Sequence, residues 1–109
     1  MRQIPKRLLP DKAVVRVPDD DALSGGQYGD EVEIENVRYD KSASIRRTDY
    51  QLQDGTTGIV YIDAVNSAGA FEIPAGSVLK IGDLEVYVNI TRTFEDFAGH
   101  VHHWELEVR

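Results

Sequence analysis

Three histidines and two glutamates near the end of the chain have the residue types of a metal-binding strand. They stand in the segment HVHHWELE, residues 100–107. Imidazole nitrogens and carboxylate oxygens are common ligands of zinc, and a zinc site needs three or four of them converging on one ion. On a regular β-strand, however, His100 and His102 point to one face and Glu107 points to the other. These three side chains could share an ion only if the strand were interrupted.

The His-x-His spacing followed by a glutamate resembles one metal-binding motif of the cupins, a family of β-barrels. The segment IPAG, residues 73–76, resembles their other motif. Two features depart from the cupin pattern: the segments occur in reverse order, and Val78, Leu79 and Lys80 stand where a further histidine would follow IPAG. We therefore expect no metal and no other cofactor. A cupin-like metalloprotein that uses the C-terminal histidines is the alternative function.

Other catalytic and phosphate-binding patterns are incomplete. No serine lies in a Gly-x-Ser-x-Gly motif, and the acidic run at residues 19–21 lacks the glycine and terminal glutamate of an EF-hand loop. Gly25 and Gly26 are not followed by the Lys-Ser/Thr pair of a phosphate-binding loop. The chain contains no cysteine, which excludes disulfides, thiolate ligands and cysteine nucleophiles. We predict that the protein is not an enzyme.

Size and charge narrow the class of partner. A chain of 109 residues, 41% of them hydrophobic, suits a single domain, residues 1–109, with one core. The net charge of −7 argues against specific nucleic-acid binding, which relies on Lys and Arg. An acidic surface suits plain solubility, and it equally suits a protein past which DNA slides without sticking. No apolar run approaches the length of about 20 residues that crosses a bilayer, so we expect no membrane partner.

Short strands would position all of these residues. Patterns of alternating or continuous apolar residues between turn formers predict strands at residues 12–17, 31–39, 58–65, 78–81, 84–93 and 100–109. We therefore predict an all-β fold, a small antiparallel β-barrel or sandwich of about six strands. Residues 1–11 form an N-terminal arm, and residues 12–109 form the barrel with a long polar loop at 40–57. One turn of helix fits near residues 5–9.

The second strand contains a change of phase. Val32 and Ile34 share one face, whereas Val37 and Tyr39 share the other. A β-bulge near residues 35–36 would bring all four side chains to the core side.

The hairpin around Gly82 and Asp83 has a register that the turn determines. Glycine at the first position of a two-residue loop favours a type II′ turn. That turn sets Lys80 opposite Glu85 as a favourable charge pair and aligns the apolar residues of both strands. In the last strand we expect two faces, with Trp104, Leu106 and Val108 inward and His103, Glu105, Glu107 and Arg109 outward.

Candidate protein contacts lie in the arm and in the long loop. They are Ile4, Leu8 and Leu9 in the arm and Arg46, Arg47, Asp49 and Tyr50 in the loop. Arginine and tyrosine are frequent anchors of protein–protein interfaces. Two alternatives stay open, because the loop could be merely solvated and the apolar arm residues could pack on their own barrel.

Five short motifs follow one another along the chain: IPKRLLP at residues 4–10, ENVRYD at 35–40, DAVNS at 63–67, GSVLKIG at 76–82 and HHWELE at 102–107. Together they resemble a family of small minor capsid proteins encoded in the head–tail region of tailed phages and prophages. The glycine spacing of the fourth motif, with Tyr87 and Val88 beyond it, is also similar to that of head-completion, or stopper, proteins.

This resemblance implies a head–tail connector of the virion neck. Such a subunit assembles as a ring below the portal and adaptor, retains packaged DNA and provides a platform on which the tail docks. The implied partners are other neck proteins on the portal and tail sides, together with further copies of the chain, and we expect a monomer in isolation. The implied location is the head–tail interface of the virion, after synthesis and assembly in the cytoplasm of the bacterial host. The family has no catalytic residues.

Overall fold

Six antiparallel strands close into a barrel in the spatial order β1-β2-β3-β6-β5-β4. The computed structural model describes residues 2–19, 28–41 and 56–109. The strands are β1 Asp11–Arg16, β2 Val32–Asp40, β3 Gly58–Asp63, β4 Val78–Ile81, β5 Leu84–Glu95 and β6 Val101–Val108, and a 3₁₀ turn at Lys6–Leu8 precedes them. Among the described residues, no helix has the length and apolar character needed to cross a membrane. The all-β prediction is confirmed, and the architecture is the barrel rather than the sandwich.

Apolar side chains from every strand fill the inside of the barrel. The buried cluster consists of Ala13, Val15, Ile34, Val37, Val60, Ile62, Ile73, Leu79, Val86, Val88, Trp104, Leu106 and Val108. Burying a side chain such as valine, leucine or isoleucine stabilises the fold by roughly 1.5–3 kcal/mol. The core therefore depends on contributions from all six strands, and closure of the barrel gives each of these strands two neighbours.

The β4–β5 hairpin has the predicted register. Lys80 pairs with Glu85 and Leu79 pairs with Val86. Gly82 has a φ of +62°, which the first position of a type II′ turn requires and which glycine adopts without strain.

A bulge in β2 lies where the change of phase predicts it. The β1–β2 register passes from Lys12–Glu35 directly to Asp11–Val37, so Asn36 is the extra residue. Its φ of +58° lies in the left-handed region, which asparagine tolerates better than most residues.

The bulge turns both halves of β2 toward the core. Ile34 and Val37 are fully buried, and Tyr39 packs against the core cluster. Val32, at the first position of the strand, remains 38% exposed, so three of the four predicted side chains reach the interior.

The twelve-residue β5 pairs with two neighbours in succession. Its first part pairs with β4 and its second part with β6, which also pairs with β3. The β5–β6 register shifts at Phe94–Glu95, where it passes from His103 to Val101 and skips His102. The regular alternation that we expected through the last strand is therefore wrong at His102. Beyond this bulge, Trp104, Leu106 and Val108 lie in the core as predicted.

Candidate functional site

The turn that follows β3 holds the N-terminal arm against the barrel. The Ile4 N–H donates to Asp63 Oδ1 at 2.8 Å, and the Asn66 side-chain amide donates to the Ile4 carbonyl at 2.9 Å. Nearby, the His102 ring Nε2 contacts the Arg2 carbonyl. The arm is thus fixed by side chains from two separate parts of the chain, and we call Asp63, Asn66 and His102 the arm clamp.

Asp63 is the centre of the arm clamp. Its side chain is fully buried, and its second oxygen accepts the backbone N–H groups of Val65 and Asn66 at 2.9 and 2.7 Å. One carboxylate therefore satisfies three backbone donors, two in its own turn and one in the arm. Hydrogen bonds to a charged acceptor are about twice as strong as neutral ones, so this residue couples the turn to the arm.

The bulge of β2 is bonded to the same turn. Ser67 donates its hydroxyl to the Asn36 carbonyl, and the Glu35 N–H donates to the Ala68 carbonyl at 3.1 Å. Asn36 in turn donates its side-chain amide to the Leu9 carbonyl at 3.4 Å. Residues of the ENVRYD and DAVNS motifs thus meet around the arm.

The structure places the three candidate arm residues differently. Leu9 is fully buried, Ile4 is half-buried in the arm clamp, and Leu8 is 44% exposed on the 3₁₀ turn. All three line an open groove of about 330 Å³ whose other wall is formed by Arg38, Asp40 and Tyr61. The arm therefore packs on its own barrel and leaves Leu8 accessible.

The four candidate loop residues, Arg46, Arg47, Asp49 and Tyr50, lie outside the described residues. Their role as protein contacts stays a prediction.

The histidines do not form the metal site considered as the alternative. The His102 and His103 rings meet through their Nδ1 atoms at 2.7 Å, and His103 Nε2 lies 2.9 Å from Glu105 Oε2. The bulge at His102 brings these two neighbouring rings together, whereas His100 lies in the β5–β6 turn with its side chain 81% exposed. Across residues 2–19, 28–41 and 56–109, no group of three or more His, Asp or Glu side chains is arranged to hold a metal ion.

Two glutamates that face outward on β6 are nevertheless buried. Glu107 is fully buried, and it accepts a hydrogen bond from Arg92 Nε at 2.7 Å and another from the Thr56 hydroxyl at 3.3 Å. Glu105, 6% exposed, contacts the His103 ring, which stacks on Phe94 with ring centroids 4.7 Å apart. The alternation of apolar and polar residues in β6 predicts that Glu105 and Glu107 face outward, but it does not predict that they are buried.

The β5–β6 turn presents an aromatic side chain to solvent. Phe97 is fully exposed, although the turn around it is held by its own hydrogen bonds. Asp96 Oδ1 accepts the N–H groups of Ala98 and His100 at 2.9 and 3.0 Å, and the Asp96 carbonyl accepts the N–H of Gly99 at 3.1 Å. The sequence carries no signal for the role of Phe97, because an apolar residue in a turn has no periodic partner.

The carboxylate of Asp96 makes this turn sensitive to acid. The N–H of His100, donating to that carboxylate, lowers the pKa of Asp96 below its ordinary value of 3.8. A lowered folded-state pKa stabilises the turn above pH 3.8, and this stabilisation is lost as the pH falls through the folded-state value. We expect the amide proton chemical shifts of Ala98 and His100 to titrate together with a midpoint below pH 3.8 in NMR spectra. Asp96→Asn should abolish this titration; a midpoint at or above 3.8 would contradict the assignment.

Comparisons with known proteins give one result. A family model described as "Minor capsid protein" matches residues 5–108, nearly the whole chain. Searches of curated proteins and of solved structures return no match.

Proposed function

Because this chain belongs to the minor capsid protein family, a family of phage structural proteins, we propose that it works in the neck of the virion as a head–tail connector or head-completion subunit. The proposal makes the protein one of the structural links between the filled head and the tail. It assigns no catalytic step to the chain.

The observation that carries the proposal is a closed barrel with further chain segments outside its strands. Each described strand of the barrel has two neighbours, so no whole strand lies at an open edge where a neighbour's strand could be added. In this proposal, contacts with other subunits fall to the arm, the segment predicted as a loop at residues 40–57 and the exposed turns. A rigid barrel that packs through such segments suits a ring built from many copies.

In this proposal the subunits form a ring below the portal and adaptor, retain the packaged DNA and offer a docking platform to the tail. The partners are neck proteins on both sides and further copies of the chain, with a monomer as the isolated form. DNA passes close by without specific binding, which a net charge of −7 favours. The protein is made in the bacterial host cytoplasm and ends at the head–tail interface of the virion.

Leu8 and the loop residues Arg46, Arg47, Asp49 and Tyr50 are the proposed contacts in this arrangement. Ile4 and Leu9 contribute by holding the arm, since Leu9 is fully buried.

A deletion of the gene from its phage or prophage tests the proposal. We expect the deletion strain to make filled heads that lack tails or lose DNA, as seen by electron microscopy and by nuclease sensitivity of the packaged genome. The purified protein should restore tail joining when added to such heads. Normal, infectious virions from the deletion strain would overturn the proposal.

A further inference from the structure

The fully exposed Phe97 is the starting point. Exposing a whole aromatic ring to water is unfavourable, by roughly 25 cal/mol for each Å² of apolar surface. The surrounding turn is nevertheless held by Asp96, which bonds to the backbone of Ala98 and His100. Phe97 is therefore presented on an ordered turn. We call Phe97, Ala98 and Gly99 together the knob.

A groove of about 660 Å³ lies elsewhere on the barrel. It is lined by Tyr28, Gly76, Tyr87, Val88, Asn89 and Arg109. A cavity of about 150 Å³ is enough to hold a benzene ring, so this groove has room for a phenylalanine side chain and part of its turn. Most of its lining surface is apolar or aromatic, which suits such an occupant.

One residue that lines the groove has a side-chain hydrogen-bond donor without an acceptor. The side-chain amide nitrogen of Asn89 is buried and has no hydrogen-bond partner among the described residues. An unsatisfied buried donor costs about 1–3 kcal/mol. The nitrogen is shielded from solvent in the free molecule. A backbone carbonyl of the knob would therefore satisfy it only after the Asn89 side chain turns toward the groove.

Charge adds to this complementarity. Arg109 lines the groove, and Glu95 and Asp96 flank Phe97. The acidic side of the knob and the basic end of the groove would attract one another, although the molecule as a whole carries a net charge of −7.

The knob cannot enter the groove of its own molecule. Both lie on the β5–β6 hairpin, and eight residues separate Asn89 from Phe97 along it. At a rise of about 3.3 Å per residue, this corresponds to a separation of roughly 25 Å. The knob and the groove are thus different surfaces of one chain, which is the requirement for a head-to-tail contact between copies.

From these observations we infer that the Phe97 knob of one copy docks in the Tyr28–Asn89–Arg109 groove of a second copy. The inference rests on the proposed function for its biological setting, since a head-to-tail contact repeated by rotation closes into a ring. It names the two surfaces that would meet there. It concerns this chain alone, so it can be tested without the phage.

The test uses a reporter that has a groove but no knob. ¹⁵N-labelled Phe97→Ala protein cannot dock into another copy, so its own spectrum is free of self-association through the knob. Unlabelled wild-type protein is then added to millimolar concentration. We expect concentration-dependent shifts of the Tyr87 and Val88 amides and of the Asn89 side-chain amide. Phe97 is fully exposed, so its replacement leaves the barrel folded.

Two unlabelled ligands serve as controls. Unlabelled Phe97→Ala should produce at least tenfold smaller shifts, because it lacks the knob. Unlabelled Leu84→Ala removes a different exposed apolar side chain, 43% exposed at the other hairpin, and should act as wild type does.

Three results would overturn the inference: no groove shifts at millimolar wild type, equal shifts with the Phe97→Ala ligand, or shifts that appear only when a different virion protein is added. The outcome is separate from that of the gene deletion. If the deletion strain is defective but the groove signals do not shift, the knob contact alone is overturned. If the groove signals shift but the deletion strain makes normal virions, the neck role is overturned and the contact between copies is not.

Discussion

Replacing Asp63 with alanine is expected to lower the free energy of unfolding by about 4 kcal/mol and to release the N-terminal arm. The substitution leaves three backbone N–H groups, those of Ile4, Val65 and Asn66, without their acceptor. Asp63 itself is fully buried. A hydrogen bond to a charged group contributes about 1.5–3 kcal/mol, and the three contributions are not additive because they share one carboxylate. Urea unfolding measures the stability change.

Trypsin measures the release of the arm. Lys6 and Arg7 are cleavage sites within it, so cutting near residue 7 should become much faster in Asp63→Ala than in the wild-type protein. Asp63→Asn keeps the shape but places an amide N–H₂ group against one of these donors, and we expect an intermediate loss. As a control, Asp83→Ala in the exposed β4–β5 turn should change stability by less than about 0.5 kcal/mol. An Asp63→Ala protein that unfolds like the wild type would show that the arm clamp does not stabilise the fold.

The second large effect is expected for Arg92→Ala, which should cost about 3 kcal/mol. Glu107 is fully buried, and Arg92 Nε contacts its carboxylate at 2.7 Å. Removing the guanidinium leaves a buried carboxylate without this counter-charge, which is the costly way to break an ion pair. The combined variant Arg92→Met with Glu107→Leu, measured by chemical denaturation, should recover most of the loss.

An exposed pair in the same barrel provides the comparison. Lys12 and Glu33 are 3.3 Å apart, with side chains 56% and 53% exposed. Lys12→Ala should therefore cost less than about 1 kcal/mol. If Arg92→Ala and Lys12→Ala lowered the free energy of unfolding by similar amounts, burial of the ion pair would not determine its contribution to stability.

Local patterns predicted the parts of the fold that depend on local chemistry. Gly82 and the charge pair Lys80–Glu85 on either side of the turn determine the β4–β5 register. The change of phase in β2 requires a bulge near Asn36. The choice between barrel and sandwich could not be made, because it depends on whether β1 meets β4, two strands that are distant in sequence.

The candidate site was less predictable for the same reason. Ile4 and Asp63 are 59 positions apart, and no periodicity links an arm residue to a turn that lies beyond three strands. The burial of Glu107 depends on Arg92 on the neighbouring strand, which an alternating pattern within β6 cannot show. The bulge at His102 shifts only one residue and leaves the apolar alternation of 104–108 intact.

The position of the arm clamp in the chain determines when the arm can be placed during synthesis. Asp63 and Asn66 are translated about 60 residues after the arm, and His102 follows Arg2 by 100 positions. The strand β6 that completes the barrel is also made after the other five described strands. At about 5–20 residues per second, the arm of a nascent chain stays undocked for on the order of 5–20 s. The arm is thus made before the strands of the barrel but reaches its native position only after them.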